Sequence, residues 1–400
     1  MRHYDVIIIG GGIAGTTAAE TFRAVPSDAS VLIISDEPHA LYSRVLLAHA
    51  VKGQIDDRQL FLKPADFYDQ RHIETMFGRS VTLVSPKRQT LMLDGGDELA
   101  WGKLVVAVGG KSRDLGIEGD HLPGVMQFQT YDDAIKARHQ LQSGTELVVI
   151  GSGRIALEFV SIAIDKKIKC TLLNRGPNFW ASVLGPKIAG LAEAALAQQG
   201  IVVRNNAKVA AVEGTHQANA VRLSTGERIP CTAVGVGVGV EVPKEPFEAL
   251  GFSDGLKVNE YLETEHSNVW AAGDCADFTD PMIGGFRHII GNWTNALAQG
   301  RHVGRALLGE RKPFEVLTQN TITVIPGFSL IMFGETRMHP GITRVEELDP
   351  ATGRAVERHV FEGRDIGIIL ANANDLRSAA MAQIGRPHLS TSLLTGVPVK

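Results

Sequence analysis

A glycine pattern that occurs twice constrains this 400-residue chain more than any other feature. In the first copy the apolar run Val6-Ile7-Ile8-Ile9 ends in Gly10-Gly11-Gly12-Ile13-Ala14-Gly15. Ala14, Ala18, Ala19 and Phe22 then fall at helical spacing, and a second apolar run, Val31-Leu32-Ile33-Ile34, closes on Ser35-Asp36-Glu37. The order is strand, Gly-x-Gly-x-x-Gly, helix, strand, acid. Each part has a physical purpose. Gly10 permits the tight turn, Gly12 lets backbone approach a pyrophosphate, and Gly15 lets the helix pack on the strand. The helix N-terminus offers N–H groups to phosphate. Asp36 or Glu37, 21 or 22 residues beyond Gly15, can hold a ribose hydroxyl pair.

The pattern returns 141 residues later. Leu147-Val148-Val149-Ile150 leads into Gly151-Ser152-Gly153-Arg154-Ile155-Ala156, a helix carrying Glu158, and the strand Cys170-Thr171-Leu172-Leu173. Alanine at the third glycine position is an accepted variant. Two such units predict two dinucleotides, or one bound by each of two domains, on an α/β fold with two Rossmann-like domains. Here the second strand ends at Asn174-Arg175, 18 and 19 residues after Ala156, with no acid. Two readings stay open: Arg175 pairs with a 2′-phosphate, or Asn174 holds the ribose through its amide.

Composition narrows the class. Hydrophobic residues are 44% and charged residues 21% of the chain, as in ordinary globular proteins. Forty basic against 44 acidic side chains give no electrostatic case for nucleic acid. No window holds the ~20 apolar residues of a membrane span, and the first apolar run is too short for a signal peptide. Three cysteines, Cys170, Cys231 and Cys275, are too few and too scattered for a disulfide framework, a zinc site or an iron–sulfur cluster. The expectation is a soluble, cytoplasmic chain without a metal.

Several further motifs carry a resemblance. Leu104-Val105-Val106-Ala107-Val108-Gly109-Gly110 resembles an Ala-Thr-Gly strand end, with Val108 in place of Thr. Thr264 and Val269-Trp270-Ala271-Ala272-Gly273-Asp274 resemble a second flavin motif, and Trp293, Ala296, Gln299 and Gly300 a Trp-x-x-Ala-x-x-Gln-Gly helix. Leu41-Tyr42-Ser43-Arg44 resembles a Tyr-x-Arg segment. Together these are similar to the FAD-dependent pyridine-nucleotide oxidoreductases, within them the rubredoxin, ferredoxin and nitrite reductase flavoproteins. The resemblance implies an FAD-binding domain at 1–115 plus 244–316 and an NAD(P)H-binding domain at 116–243. Gly235, Gly237, Gly239 and Pro243 mark the return crossover, and 317–400 forms a small α+β interface domain. It implies FAD contacts at Gly10, Gly12, Ala14, Gly15, Asp36, Glu37, Arg44, Val81, Ala107, Gly109, Arg113, Gly273, Asp274 and Trp293. Asp274 would receive the ribityl chain. NAD(P)H contacts are implied at Gly151, Gly153, Ile155, Ala156, Glu158, Asn174, Arg175 and Gly237. Local signals add a hairpin from Val81 to Leu93, a helix between Pro186 and Gly200, and strands at 321–324 and 329–333.

Thiol chemistry is excluded on these residues. Relatives carry a Cys-x4-Cys pair on the first flavin helix, or a single cysteine near position 43, but this chain has Ser43 and no cysteine before Cys170. The flavin would then be the sole redox centre, with electrons leaving to a small redox protein such as a rubredoxin or ferredoxin, or to a reductase subunit. Direct reduction of oxygen and a non-enzymatic redox sensor are the alternatives. Glu158 matches a glutamate beside the nicotinamide. His49 stands where related reductases have lysine, as a protonatable group near the flavin. A homodimer through the C-terminal domain is a further expectation.

Overall fold

The computed structural model describes all residues except 281–282, 284, 289–290, 316–318, 390 and 396–400. The boundary expected at 316/317 lies outside the described residues.

The two glycine units fold alike, bond for bond. In the first, strands Arg2–Ile9 and Val31–Ser35 pair in parallel, with helix Ile13–Phe22 crossing between them. In the second, Glu146–Ile150 and Lys169–Leu173 do the same around helix Arg154–Lys166. Gly10 N–H donates to the Ile34 carbonyl at 2.7 Å and Gly151 N–H to that of Leu173 at 2.9 Å. Ala107 N–H reaches the Ile9 carbonyl at 2.7 Å, and Gly237 N–H that of Ile150 at 2.8 Å.

Close backbone approach explains the glycines. At φ +117°, a Cβ on Gly10 would lie 2.2 Å from the Ala107 carbonyl oxygen; at φ +120°, one on Gly151 would lie 2.2 Å from that of Gly237. A Cβ on Gly15 would fall 2.0 Å from the Gly10 oxygen. The second unit tolerates Ala156 there because Gly237 opposite has no side chain: a Cβ on it would sit 2.5 Å from the Ala156 nitrogen.

The first unit belongs to a seven-stranded sheet. Its order is Ile73–Phe77, Val31–Ser35, Arg2–Ile9, Glu98–Val106, Thr90–Leu93, Val81–Ser85, and Val269–Ala271 also pairs in parallel with Glu98–Val106. The chain therefore returns to its first sheet after completing the second. The expected hairpin from Val81 to Leu93 forms, with Glu98–Val106 as its partner. The second unit lies in a five-stranded parallel sheet, closed by Ala233–Val236 and Val125–Met126. Where the chain crosses between sheets, Lys111–Ser112 and Val240–Glu241 pair antiparallel.

Helix Trp293–Leu307 packs on helix Ile13–Phe22 at backbone distance. A Cβ on Gly300 would stand 2.2 Å from the Ala14 oxygen, and one on Gly304 2.7 Å from that of Ala18. This contact holds the first glycine loop against the segment carrying Gly273 and Asp274, because the Gln299 Oε1 accepts from Gly273 N–H at 2.7 Å.

Beyond residue 318 an antiparallel five-stranded sheet runs Gln319–Ile325, Phe328–Gly334, Arg364–Ala371, Arg354–Phe361, Thr343–Asp349. The turn Glu362-Gly363 has positive φ at both residues (47° and 70°), as a tight two-residue hairpin requires. This sheet caps the second unit. Helix Pro186–Gln198 has no side-chain cap of its own. Glu357 accepts from Gly185 N–H at 2.7 Å and Glu346 from Lys187 N–H at 2.9 Å, so carboxylates satisfy its N-terminal donors. Among the described residues no helix is long and apolar enough to cross a membrane.

Candidate cofactor site

A cavity of about 650 Å³ opens along the first glycine loop, within the size range of ligand sites. Of the residues expected to hold FAD, Gly10, Gly12, Ala14, Asp36, Glu37, Arg44, Val81, Ala107, Gly109, Gly273, Asp274 and Trp293 line it. Gly15 does not; its part is packing, as the contact with Gly10 requires. Arg113 does not line it either: it is exposed in the crossover, its guanidinium 3.7 Å from Glu241. Ile155, Glu158 and His49 reach the same wall from elsewhere.

The loop fits a bound pyrophosphate. The helix after it is capped by Gly12 with no side-chain bond, so its first N–H groups are not consumed by a capping side chain. A Cβ on Gly12 would meet nothing within 4 Å, so that face is open. On the opposite wall Asn292 lines the cavity, and its Nδ2 is a buried donor with no partner among the described residues. Such a buried donor is costly unless something accepts from it. These features suit an acceptor-rich dinucleotide.

The acids at the strand end divide their work. Glu37 pairs with Arg44 and accepts from the Tyr42 hydroxyl at 2.5 Å, while Arg44 also donates to the Gln129 carbonyl at 2.7 Å. Arg44 is thus fixed to the cavity wall by neighbours. Asp36 is half exposed, 3.2 Å from the Lys111 ammonium, and is the freer acid for a ribose.

Deeper in the cavity the charges are enclosed by protein. Burial pushes the Asp274 carboxyl up to about 6, against the pull of Arg154 and Arg44. It pushes Glu158 up to about 7, against the pull of Lys52. Both carboxyls show some surface, and that surface faces the cavity. His49 shares its Nδ1 with the Gln54 Oε1 at 2.7 Å, and Gln54 donates on to Asp165 at 2.7 Å.

Sequence reasoning missed four contributors. Arg154 enters from the second glycine loop toward Asp274. Lys52 sets the field at Glu158. Thr321 and Thr323 come from the C-terminal sheet.

A family model described as pyridine nucleotide-disulphide oxidoreductase matches residues 4–300. The chain belongs to that family. Among curated proteins, this pyridine nucleotide-disulphide oxidoreductase is 31% identical to the ferredoxin reductase component of chlorobenzene dioxygenase from Cupriavidus sp., over 76% of this chain and 74% of that one. It is 28% identical to the ferredoxin–NAD(+) reductase component of the biphenyl dioxygenase system of Paraburkholderia xenovorans, over 82% and 81%. Among solved structures, putidaredoxin reductase in its covalent complex with putidaredoxin matches at TM-score 0.87 and 25% identity, covering 96% of this chain and 94% of that one. A ferredoxin reductase from Rhodopseudomonas palustris matches at TM-score 0.86 and 26% identity, covering 98% and 99%.

The disulphide of the family's description is missing here. Cys170, Cys231 and Cys275 are all free and buried. Burial pushes their thiols up, to about 12, 11 and 11, so the reactive thiolate is suppressed. The Cys275 Sγ donates to the carbonyls of Val106 (3.3 Å) and Ala272 (3.4 Å) at the strand end, a packing role beside Asp274.

Of the second glycine unit, Gly151, Gly153, Ala156, Asn174, Arg175 and Gly237 lie outside the cavity, while Arg154, Ile155 and Glu158 line it and connect the two. Its helix is also capped by glycine alone, Gly153. Trp180, at φ 50°, places its indole nitrogen 4.0 Å from where a Gly153 Cβ would be. The Asn174 amide is committed to its own loop, donating to the carbonyls of Gly176 (3.2 Å) and Asn178 (2.6 Å) and to the Asn205 Oδ1 (2.9 Å).

Proposed function

We propose that this family member oxidises NAD(P)H and passes the electrons through bound FAD to a small cytoplasmic redox protein of the ferredoxin or rubredoxin class. The observation that carries the reading is the meeting of the two glycine units. Glu158 and Ile155, on the second unit's helix, form part of the wall of the first unit's cavity. A nicotinamide extended from the second loop would therefore arrive beside a flavin held by the first. FAD accepts a hydride and can release electrons singly, which suits a one-electron partner protein. With all three thiols buried, no cysteine is available to relay them.

In this reading 1–115 with 244–316 holds FAD, 116–243 holds the nicotinamide dinucleotide, and 317–400 lends Thr321 and Thr323 to the site. Gly10, Gly12 and the N-terminus of helix Ile13–Phe22 bind the pyrophosphate, Asp36 the adenosine ribose, and Asp274 the ribityl chain. Glu158 faces the nicotinamide, and its carboxylate favours the positive charge that ring gains as hydride leaves. His49, bonded through Nδ1 to the Gln54 Oε1, lines the same wall. The relatives' named partners, ferredoxin and putidaredoxin, support the acceptor class.

Stopped-flow mixing tests it. Fast reduction of the protein's FAD by NADH or NADPH, slow reoxidation by oxygen and fast reoxidation by an added ferredoxin or rubredoxin are expected. Reoxidation by oxygen as fast as by any redox protein would refute the acceptor assignment, and a protein that binds no FAD would refute the whole reading.

A further inference from the structure

The donor itself can be narrowed, on the reading that the second unit binds the pyridine nucleotide. In a unit specific for NADH, the second strand ends in a carboxylate that bonds the adenosine ribose and repels a 2′-phosphate. Asn174 takes that position, at the end of strand Lys169–Leu173, and is only 4% exposed. Its Nδ2 serves three acceptors and its Oδ1 accepts from Gly176 N–H at 3.3 Å. An amide has two N–H donors, and both are spent inside the protein. Asn174 is thus a brace for its loop and has no N–H left to offer a ribose.

The neighbouring loop removes the other candidates. Residues 204–208 lie alongside 174–176, because Asn206 N–H donates to the Gly176 carbonyl and Ala207 N–H to that of Asn174, each at 2.9 Å. Neither 174–178 nor 204–208 contains an acid. Glu193, the carboxylate that reaches this corner, accepts from Phe179 N–H at 2.7 Å and the Asn205 amide at 2.8 Å. Glu227 is held by Arg204 at 2.8 Å. What this corner presents to solvent is positive: Arg175 and Lys208 are exposed, and neither side chain makes a hydrogen bond or ion pair among the described residues.

We infer that Arg175, with Lys208 on the adjacent loop, reads the 2′-phosphate and makes NADPH the preferred donor. This sets the chain apart from relatives named for NAD(+). A guanidinium presents paired N–H groups that match a phosphate, and nothing in the loop competes for them. The site also lacks the carboxylate that would reject the phosphate.

The test uses the FAD-loaded full chain. Steady-state turnover with an artificial electron acceptor gives kcat/KM for NADPH and NADH. Wild type should favour NADPH by about ten-fold or more, the scale of one charged hydrogen bond. Arg175→Ala should lower the NADPH/NADH ratio by about as much, through KM for NADPH, and Arg175→Glu should invert it. Calorimetry with 2′,5′-ADP and 5′-AMP reads the same contact without turnover: 2′,5′-ADP should bind tighter to wild type, and lose that advantage in Arg175→Ala. Arg175 is exposed, so folding is not at stake. A wild type that prefers NADH, or a ratio indifferent to Arg175→Ala, overturns the inference and leaves the proposed function standing. Failure of both nucleotides to reduce a tightly held FAD overturns the proposed function itself.

Discussion

The carboxyl of Glu158 should set the pH dependence of flavin reduction. Enclosure by protein raises it to about 7, the opposing pull coming from the Lys52 ammonium. Below that pH it is neutral; above it, it is a carboxylate. Only the carboxylate favours the positive charge appearing on the nicotinamide, so reduction should accelerate as pH rises. The ionised fraction climbs from about one tenth at pH 6 to about nine tenths at pH 8, so the rate constant should climb about nine-fold over that interval. The ceiling is the worth of one charged contact, about 1.5–3 kcal/mol, or roughly ten- to a hundred-fold. Anaerobic stopped-flow at saturating donor isolates the step. Glu158→Gln keeps the shape and removes the titration, so its profile should be flat and lie near the wild-type low-pH limb. Lys52→Met removes the ion that favours the carboxylate, and should move the inflection upward. A flat wild-type profile between pH 6 and 9, or an inflection that survives in Glu158→Gln, would refute this assignment.

Other expectations follow from single contacts. Asp274→Ala should weaken FAD retention by about 1.5–3 kcal/mol, read as a ten- to hundred-fold rise in Kd by fluorescence titration, since a charge-assisted hydrogen bond is lost. Replacing Cys170, Cys231 and Cys275 together by Ala, or blocking them with thiol reagents, should leave turnover per bound flavin intact; loss of turnover with flavin and fold preserved would restore thiol chemistry. Gly237→Val would drive a side chain toward the Ala156 nitrogen, 2.5 Å from the added Cβ, so the protein should stay yellow while its reduction by NAD(P)H slows sharply. Gly300→Val should separate the helices that meet at the Ala14 oxygen, costing about 1–3 kcal/mol of stability in thermal unfolding together with some of the bound FAD.

Turn chemistry made much of this fold legible. Gly10 and Gly151 hold φ values above +110° against a facing carbonyl, which excludes other residues and leaves a readable trace at fixed spacing. The hairpin from Val81 to Leu93 was also readable, from the turn residues that break its apolar run. Side chains whose partners are distant in sequence left no such trace. Glu37 was readable as a strand-end acid, but not its capture by Tyr42 and Arg44. The amide of Asn174 was readable as a ribose ligand until Asn205 and the 176–178 backbone claimed it.

Arg154 marks the boundary between these two kinds of information. It precedes Glu158 by four residues on helix Arg154–Lys166, so the two share a face, and placing Glu158 on the cavity wall obliges Arg154 to point the same way. That much is arithmetic on the helix. What the arithmetic cannot supply is the partner: Asp274 lies 120 residues on, in the turn just after strand Val269–Ala271 of the other sheet, and comes opposite Arg154 only when the two sheets close on one another. The carboxyls of this cavity are tuned by that closure. Asp274 is raised by burial against the pull of cations from two separate stretches of chain, and Glu158 is raised to about 7 because the single opposing ion, Lys52, does not offset its loss of water. The protonation chemistry of the site is therefore a property of how the two glycine units are docked, and any substitution that loosens the docking should lower both carboxyl values together.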